Sequence, residues 1–180
     1  MAIITNYVHQ HQIDDKIRKF AITGQIKKKV QSKLDRTEGV IAEPIKPQTA
    51  EYGTEQDYFE TYVKAFLYCM KTMKGLGANQ ADRVFIWATD KDVINAVNNK
   101  IIQIPNEKYL DEFWDLKEEL SVRFGWQDQR KPNRFVAFAM ELTGETHEVD
   151  SRYDPVSKTI KEAENPLAIV QSIRNKRKDN

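Results

Sequence analysis

The segment RVFIWATDKDVINAVNN, residues 83 to 99, constrains the fold more than any other part of the chain. Residues 84 to 89, VFIWAT, are apolar at consecutive positions, so a strand there must be covered on both faces. It reads as the central strand of a sheet flanked by helices. Residues 91 to 99 then follow a helical period with Val93, Ile94 and Val97 inward. An aspartate at this junction has two readings. Thr89 or Asp90 caps the helix, with the acids set against its dipole, or Asp90 stands at the sheet's end as a metal ligand. Both stay open at this point.

The flanking chain supplies neighbours for that strand. Residues 2 to 8, 19 to 29 and 38 to 46 are rich in β-branched and aromatic side chains and read as three successive strands, an antiparallel meander. Residues 19 to 33 also fit a basic helix. Thr54-Glu55-Gln56-Asp57 has the form of a capping box, and Phe59, Tyr62, Val63, Phe66, Leu67, Met70 and Met73 recur at helical spacing before Gly75 and Gly77. After Pro105, Leu110, Phe113, Trp114, Leu120 and Phe124 mark one side of a further helix, stopped by Gly125. Residues 134 to 142, RFVAFAMEL, read as a last buried strand. Beyond Gly144 the chain turns polar, with breaks at Asp154-Pro155 and Asn165-Pro166.

These elements predict one domain over residues 1 to 154 and a tail over 155 to 180, helical in part and basic at its end. Lys and Arg number 28 against 27 Asp and Glu, so a net charge of +1 offers no global field for nucleic acid or membrane, and any such binding must come from a local patch. Cys69 has no second cysteine to pair with, and three His are too few and badly spaced for a His/Cys zinc site. Cys69 also has no base in sequence reach that would make it a nucleophile. No apolar run reaches membrane-spanning length, and the N-terminus lacks the order of a signal peptide. The expectation is a soluble cytoplasmic protein in a reducing compartment, with no membrane partner.

The order strand, strand, strand, long helix, strand, short helix, longer helix, strand resembles the ribonuclease H-like superfamily, an α/β fold with a mixed five-stranded sheet flanked by helices. VFIWATDKDVINAVNN is similar to the family's strand ending in Thr-Asp and the helix after it. YLDEFWDLKEEL is similar to its next helix, and FVAFAMELTGETHEVD follows its last strand and the loop beyond. The resemblance spans residues 2 to 154. It implies four carboxylates on separate elements that hold two Mg²⁺ or Mn²⁺ ions for phosphodiester hydrolysis.

Carried over position by position, the resemblance puts the family's first acid on Asn6, preceded by Thr5 and followed by Tyr7 where the family has glycine. The helix glutamate falls on Glu60, with Glu55 as the competitor, and the next acid on Asp90. The last acid falls on Asp150 or Asp154, with His147 as the loop histidine. An amide in place of the first acid removes a full negative charge from a site meant for dications. The incomplete set leaves two functions in view. One is a divergent metal-dependent nuclease acting on RNA or an RNA–DNA hybrid, with catalysis impaired and Asp90, Glu60 and Asp150 as ligands assisted by Asn6. The other is a non-catalytic module that binds nucleic acid or a protein partner in an assembly. Lys27, Lys28 and Lys29 suit a phosphate backbone, and equally a lysine-protected edge strand. Trp87 and Trp114 read as core, which leaves Trp126 as the stacking platform.

Overall fold

A run of β-branched and aromatic residues near the N-terminus, AIITNYVHQHQ, builds the strand on which the sheet is assembled. The structure is a computed structural model describing residues 1–31 and 38–145, so the expected tail at 155 to 180 lies outside the described residues. The elements run β1 (Ala2–Gln12), β2 (Ile17–Gln31), β3 (Glu38–Gly53), α1 (Tyr58–Gly75), β4 (Arg83–Ala88), α2 (Lys91–Asn98), α3 (Glu107–Glu119), β5 (Arg123–Trp126) and α4 (Arg134–Leu142). The strands form one sheet in the order β3-β2-β1-β4-β5. β1–β2 and β2–β3 are antiparallel, whereas β1–β4 and β4–β5 are parallel.

β1 is the central strand, and the VFIWAT segment, β4, is interior one place along, between β1 and β5. Successive side chains of β1 alternate between two layers. Ala2, Ile4, Asn6 and Val8 are buried on the side of α1, where Asn6 Nδ2 donates to Met73 Sδ at 2.7 Å. Tyr7 faces the other way and stacks on Phe135 of α4, with ring centroids 5.3 Å apart. On the α1 side, Phe66 of α1 packs against Phe113 of α3 and Phe124 of β5 at 6.1 and 5.0 Å. Burial of each such ring contributes about 1.5–3 kcal/mol, so this cluster binds the helical layer to the sheet. Among the described residues no helix is long and apolar enough to cross a membrane.

The structure corrects four sequence expectations. Residues 134–142 form helix α4, not a strand: Asn133 Oδ1 accepts from Phe135 N at 3.1 Å and Val136 N at 2.9 Å, and Val136, Ala137 and Met140 share its buried stripe. The fifth strand is instead Arg123–Trp126, which the sequence pattern merges into the preceding helix. A positive φ of 50° at Ser121 turns the chain out of α3 and frees those four residues to pair with β4. The N-cap of α1 is Asp57, whose carboxylate accepts from Glu60 N at 3.0 Å, while Thr54 Oγ1 donates to Asp15 O. Finally, the three N-terminal strands are longer than expected, and residues 17–31 are strand with no helical part.

The β1–β2 contact depends on one missing side chain. Gly24 sits opposite Asn6, at a register shift in β2, and a Cβ there would lie 2.2 Å from Thr5 O and 3.0 Å from Asn6 Cα. Backbone atoms on both sides leave no flexible group to yield. Gly24→Ala is expected to lower unfolding free energy by about 2–3 kcal/mol in urea denaturation. Gly75→Ala is the control: nothing lies within 4 Å of its added Cβ, and the exchange should be neutral to stabilising by up to about 1 kcal/mol.

Candidate functional site

The parallel pairing of β1 with β4 decides which side chains meet at the sheet's C-terminal end. Val8 pairs with Ala88, and Thr89 N donates to Val8 O at 3.3 Å, so Gln10 is the β1 residue level with Asp90. Asn6 pairs with Ile86, four residues back along β1, or about 13 Å. The structure therefore separates Asn6 from Asp90. Asn6 lies in the core against α1, and the place expected for it belongs to Gln10.

Helix α1 starts beside this point and contributes its first residue. Tyr58 donates its phenol proton to Asp90 Oδ2 at 2.5 Å, and the Tyr58 hydroxyl oxygen lies 3.5 Å from Gln10 Oε1. The other carboxylate oxygen, Asp90 Oδ1, accepts from Val93 N at 3.0 Å and caps α2. Arg18 covers the Tyr58 ring at 5.0 Å from its centroid and donates to Gln56 O at 3.0 Å. Burial, and then the hydrogen bond to Asp90, hold the Tyr58 phenol well above its usual pKa, so it stays protonated as a donor. Tyr62, fully buried one turn on, is raised too, first by burial and then by Tyr58 and Asp90.

The remaining expected site residues either make other contacts or lie outside the described residues. Glu60 lies two positions, about 200°, around the helix from Tyr58, and its Oε1 accepts from Asn106 N at 3.0 Å, tying α1 to the start of α3. Glu55 folds back over Gly53. His147, Asp150 and Asp154 lie outside the described residues. Lys27, Lys28 and Lys29 are exposed at the other end of the sheet: Lys28 pairs with Ala2, whereas Gln10 pairs with Phe20. The eight residues between Ala2 and Gln10 span about 26 Å.

Sequence reasoning missed Gln10, Tyr58 and a second group on the α4 side. There His9 is buried, with Nδ1 2.6 Å from Thr89 Oγ1 and Nε2 2.6 Å from Glu145 Oε1, while His11 Nδ1 lies 3.1 Å from the same Glu145 oxygen. An open depression of about 490 Å³ lies alongside, lined by Gln10, His11, Gln129 and Glu145 among others. Contacts across 80 and 136 positions leave no local spacing to detect. The residues of HQHQIDD pass for a polar connection, although the first four of them continue β1.

Two Mg²⁺ or Mn²⁺ ions need several anionic oxygens turned to one point. Gln10, Tyr58 and Asp90 supply an amide, a protonated phenol and one carboxylate with both oxygens engaged. That donor set does not fit the pair of ions. Among the described residues no three His, Cys, Asp or Glu are arranged to hold a metal ion, and His9 and His11 are turned onto the Glu145 carboxylate itself.

The sheet order, the mixed pairing and the helix placement make this a ribonuclease H-like fold. The chain is similar to the crystal structure of LC9-RNase H1, a type 1 RNase H with the type 2 active-site motif. The two superpose with a TM-score of 0.52 at 10% identity over 96% of this chain and 85% of that one. LC11-RNase H1 in complex with RNA/DNA hybrid gives a TM-score of 0.45 at 11% identity, covering 78% of this chain and 96% of that one. RNase H1 from the halophilic archaeon Halobacterium salinarum NRC-1 gives 0.44 at 7% identity, covering 79% and 96%. No family model and no curated protein matches the chain.

Two predictions follow from this geometry. Asp90→Ala removes both the cap and the partner of Tyr58 and should cost about 2–3 kcal/mol by chemical denaturation. Asp90→Asn, which still caps, should cost less than half of that. The second concerns pH. Burial lowers the His9 pKa below its usual 6.5, against the opposing pull of Glu145. Protonation therefore favours the unfolded chain: the stability held by neutral His9 is complete above about pH 6.5 and is lost as pH falls through the lower folded value. The melting temperature should drop from pH 7 to pH 5, and His9→Gln should flatten that slope.

Proposed function

We propose that this chain is a non-catalytic nucleic-acid-binding module built on the ribonuclease H-like fold. The observation that carries the reading is Asp90 itself. One of its oxygens caps α2, the other receives the Tyr58 phenol, and the amide of Gln10 stands opposite. A carboxylate so engaged holds three elements together, and among the described residues its immediate partners, Gln10 and Tyr58, are neutral groups that do not help it hold dications. Binding is supported by the exposed run Lys27, Lys28 and Lys29 near the far end of the β2–β3 hairpin. Its distance from Asp90 separates phosphate contact from the place where hydrolysis would occur.

Calorimetric titration with Mn²⁺ tests the non-catalytic part. The wild type should give no site-specific heat. Gln10→Asp combined with Tyr58→Phe adds a carboxylate opposite Asp90 and releases one of its oxygens, and should acquire binding. The nuclease reading prevails if the wild type binds Mn²⁺, cleaves the RNA strand of an RNA–DNA hybrid, and loses both in Asp90→Asn. For the binding part, anisotropy with labelled oligonucleotides should show that exchange of Lys27, Lys28 and Lys29 for Gln weakens all sequences alike. The salt slope should fall by about 2–3.

A further inference from the structure

The sheet has a second face, and α4 covers only part of it. α4 packs over β1 and β2, and among the described residues no helix lies over the same face of β4 and β5. The pairing register shows what is left there. Thr5 of β1 is level with Phe85 of β4, which is level with Arg123 of β5, and Tyr7 is level with Trp87, which is level with Gly125. These side chains share one side of the sheet, the side on which Tyr7 meets Phe135.

Phe85 and Trp87 are half-buried, not enclosed. Gly125 shapes the second of them: a Cβ on Gly125 would lie 2.5–3.0 Å from three carbons of the Trp87 six-membered ring, so the indole lies over β5 where no side chain stands. Among the described residues, the charged side chains on this side of the strands around these rings are cations. Arg83 and Lys27 are level with Ile3, Arg123 is level with Phe85, and Arg134 reaches Gln25 Oε1 at 2.9 Å. All four cations are exposed. The strand residues on this side from Ile3 to Tyr7 and their partners include no acid, and nearby Asp82 accepts from the backbone of Ala2 and Asn79.

We infer that this open face of β1, β4 and β5 is a binding platform for single-stranded nucleic acid, with bases on Phe85 and Trp87 and phosphates on Arg83, Arg123, Arg134 and Lys27. The inference rests on the nucleic-acid reading above and adds which strand form is held, and where. Unpaired bases expose the flat surfaces that aromatic side chains stack on, whereas a duplex hides them. A row of cations on both flanks matches a phosphate backbone running across the strands. A protein partner would need carboxylates placed to meet these four cations, whereas a nucleic-acid strand of any sequence carries the matching charge in its backbone.

The test uses the full chain and anisotropy with labelled twelve-nucleotide oligo-U, oligo-dT and a mixed-sequence duplex. The single strands should bind more tightly than the duplex. Phe85→Leu should weaken them about fivefold or more with the duplex unchanged, since each stacked base is lost separately. Arg83→Gln with Arg123→Gln, both at exposed positions, should lower the single-strand salt slope by about 1.4. Circular dichroism confirms that each variant is folded, and the Arg pair decides the matter if Phe85→Leu is not. Single-strand affinity and slope unchanged in these variants overturn the platform. If Lys27, Lys28 and Lys29 exchange still weakens binding, the module reading survives that result. Failure of the wild type to bind any oligonucleotide overturns both readings and leaves the face to a protein partner.

Discussion

The parallel register of β1 against β4 is the constraint on which the site depends. Because side chains alternate along a strand, a shift of one residue would exchange the two sides of β1 and bring His9 where Gln10 now stands. The observed register puts Gln10 toward Tyr58 and Asp90, and His9 toward Thr89 and Glu145. Gly24 belongs to the same constraint, since β1 keeps its seat against β2 only where no Cβ pushes on Thr5 and Asn6. Two groups of polar side chains at one end of the sheet thus follow from one alignment of backbone.

Asp90 connects the elements that converge there. It ends β4, caps α2 and receives the first side chain of α1. Such a residue is held in place by its partners, and its partners by it. Arg18, over the Tyr58 ring and on the carbonyl of Gln56, extends the same network to β2. A carboxylate with this many partners ties the start of α1, the end of β4 and the N-terminus of α2 to one another.

The two faces of the sheet are finished differently. The α1 side is closed by aromatic packing among Phe66, Phe113 and Phe124. On the other side the short α4 packs over β1 and β2, and among the described residues no helix covers the half-buried Phe85 and Trp87 or the exposed Arg83 and Arg123 beside them. A net charge of +1 conceals this, because charge balance over a whole chain does not describe its distribution on one face.

The sequence by itself determined the elements whose periodicity is long or unambiguous: α1 with its seven-member apolar stripe, the two-sided strand β4, and α2 behind Asp90. It also determined the order of elements from which the ribonuclease H-like fold is legible. Short segments were not decided locally. FVAFAM offers apolar residues at every spacing, so strand and helix compete until Asn133 caps it, and RFGW becomes a strand only by pairing with β4. Asp90 was legible as a cap or ligand, but the convergence of the candidate site belongs to tertiary structure. Gln10, Tyr58 and Asp90 lie 48 and 32 positions apart along the chain, and nothing in their local patterns joins them. Only the strand register and the starting point of α1 bring them together, because hydrogen-bonded backbone alignment is a relation between segments that neither segment carries alone.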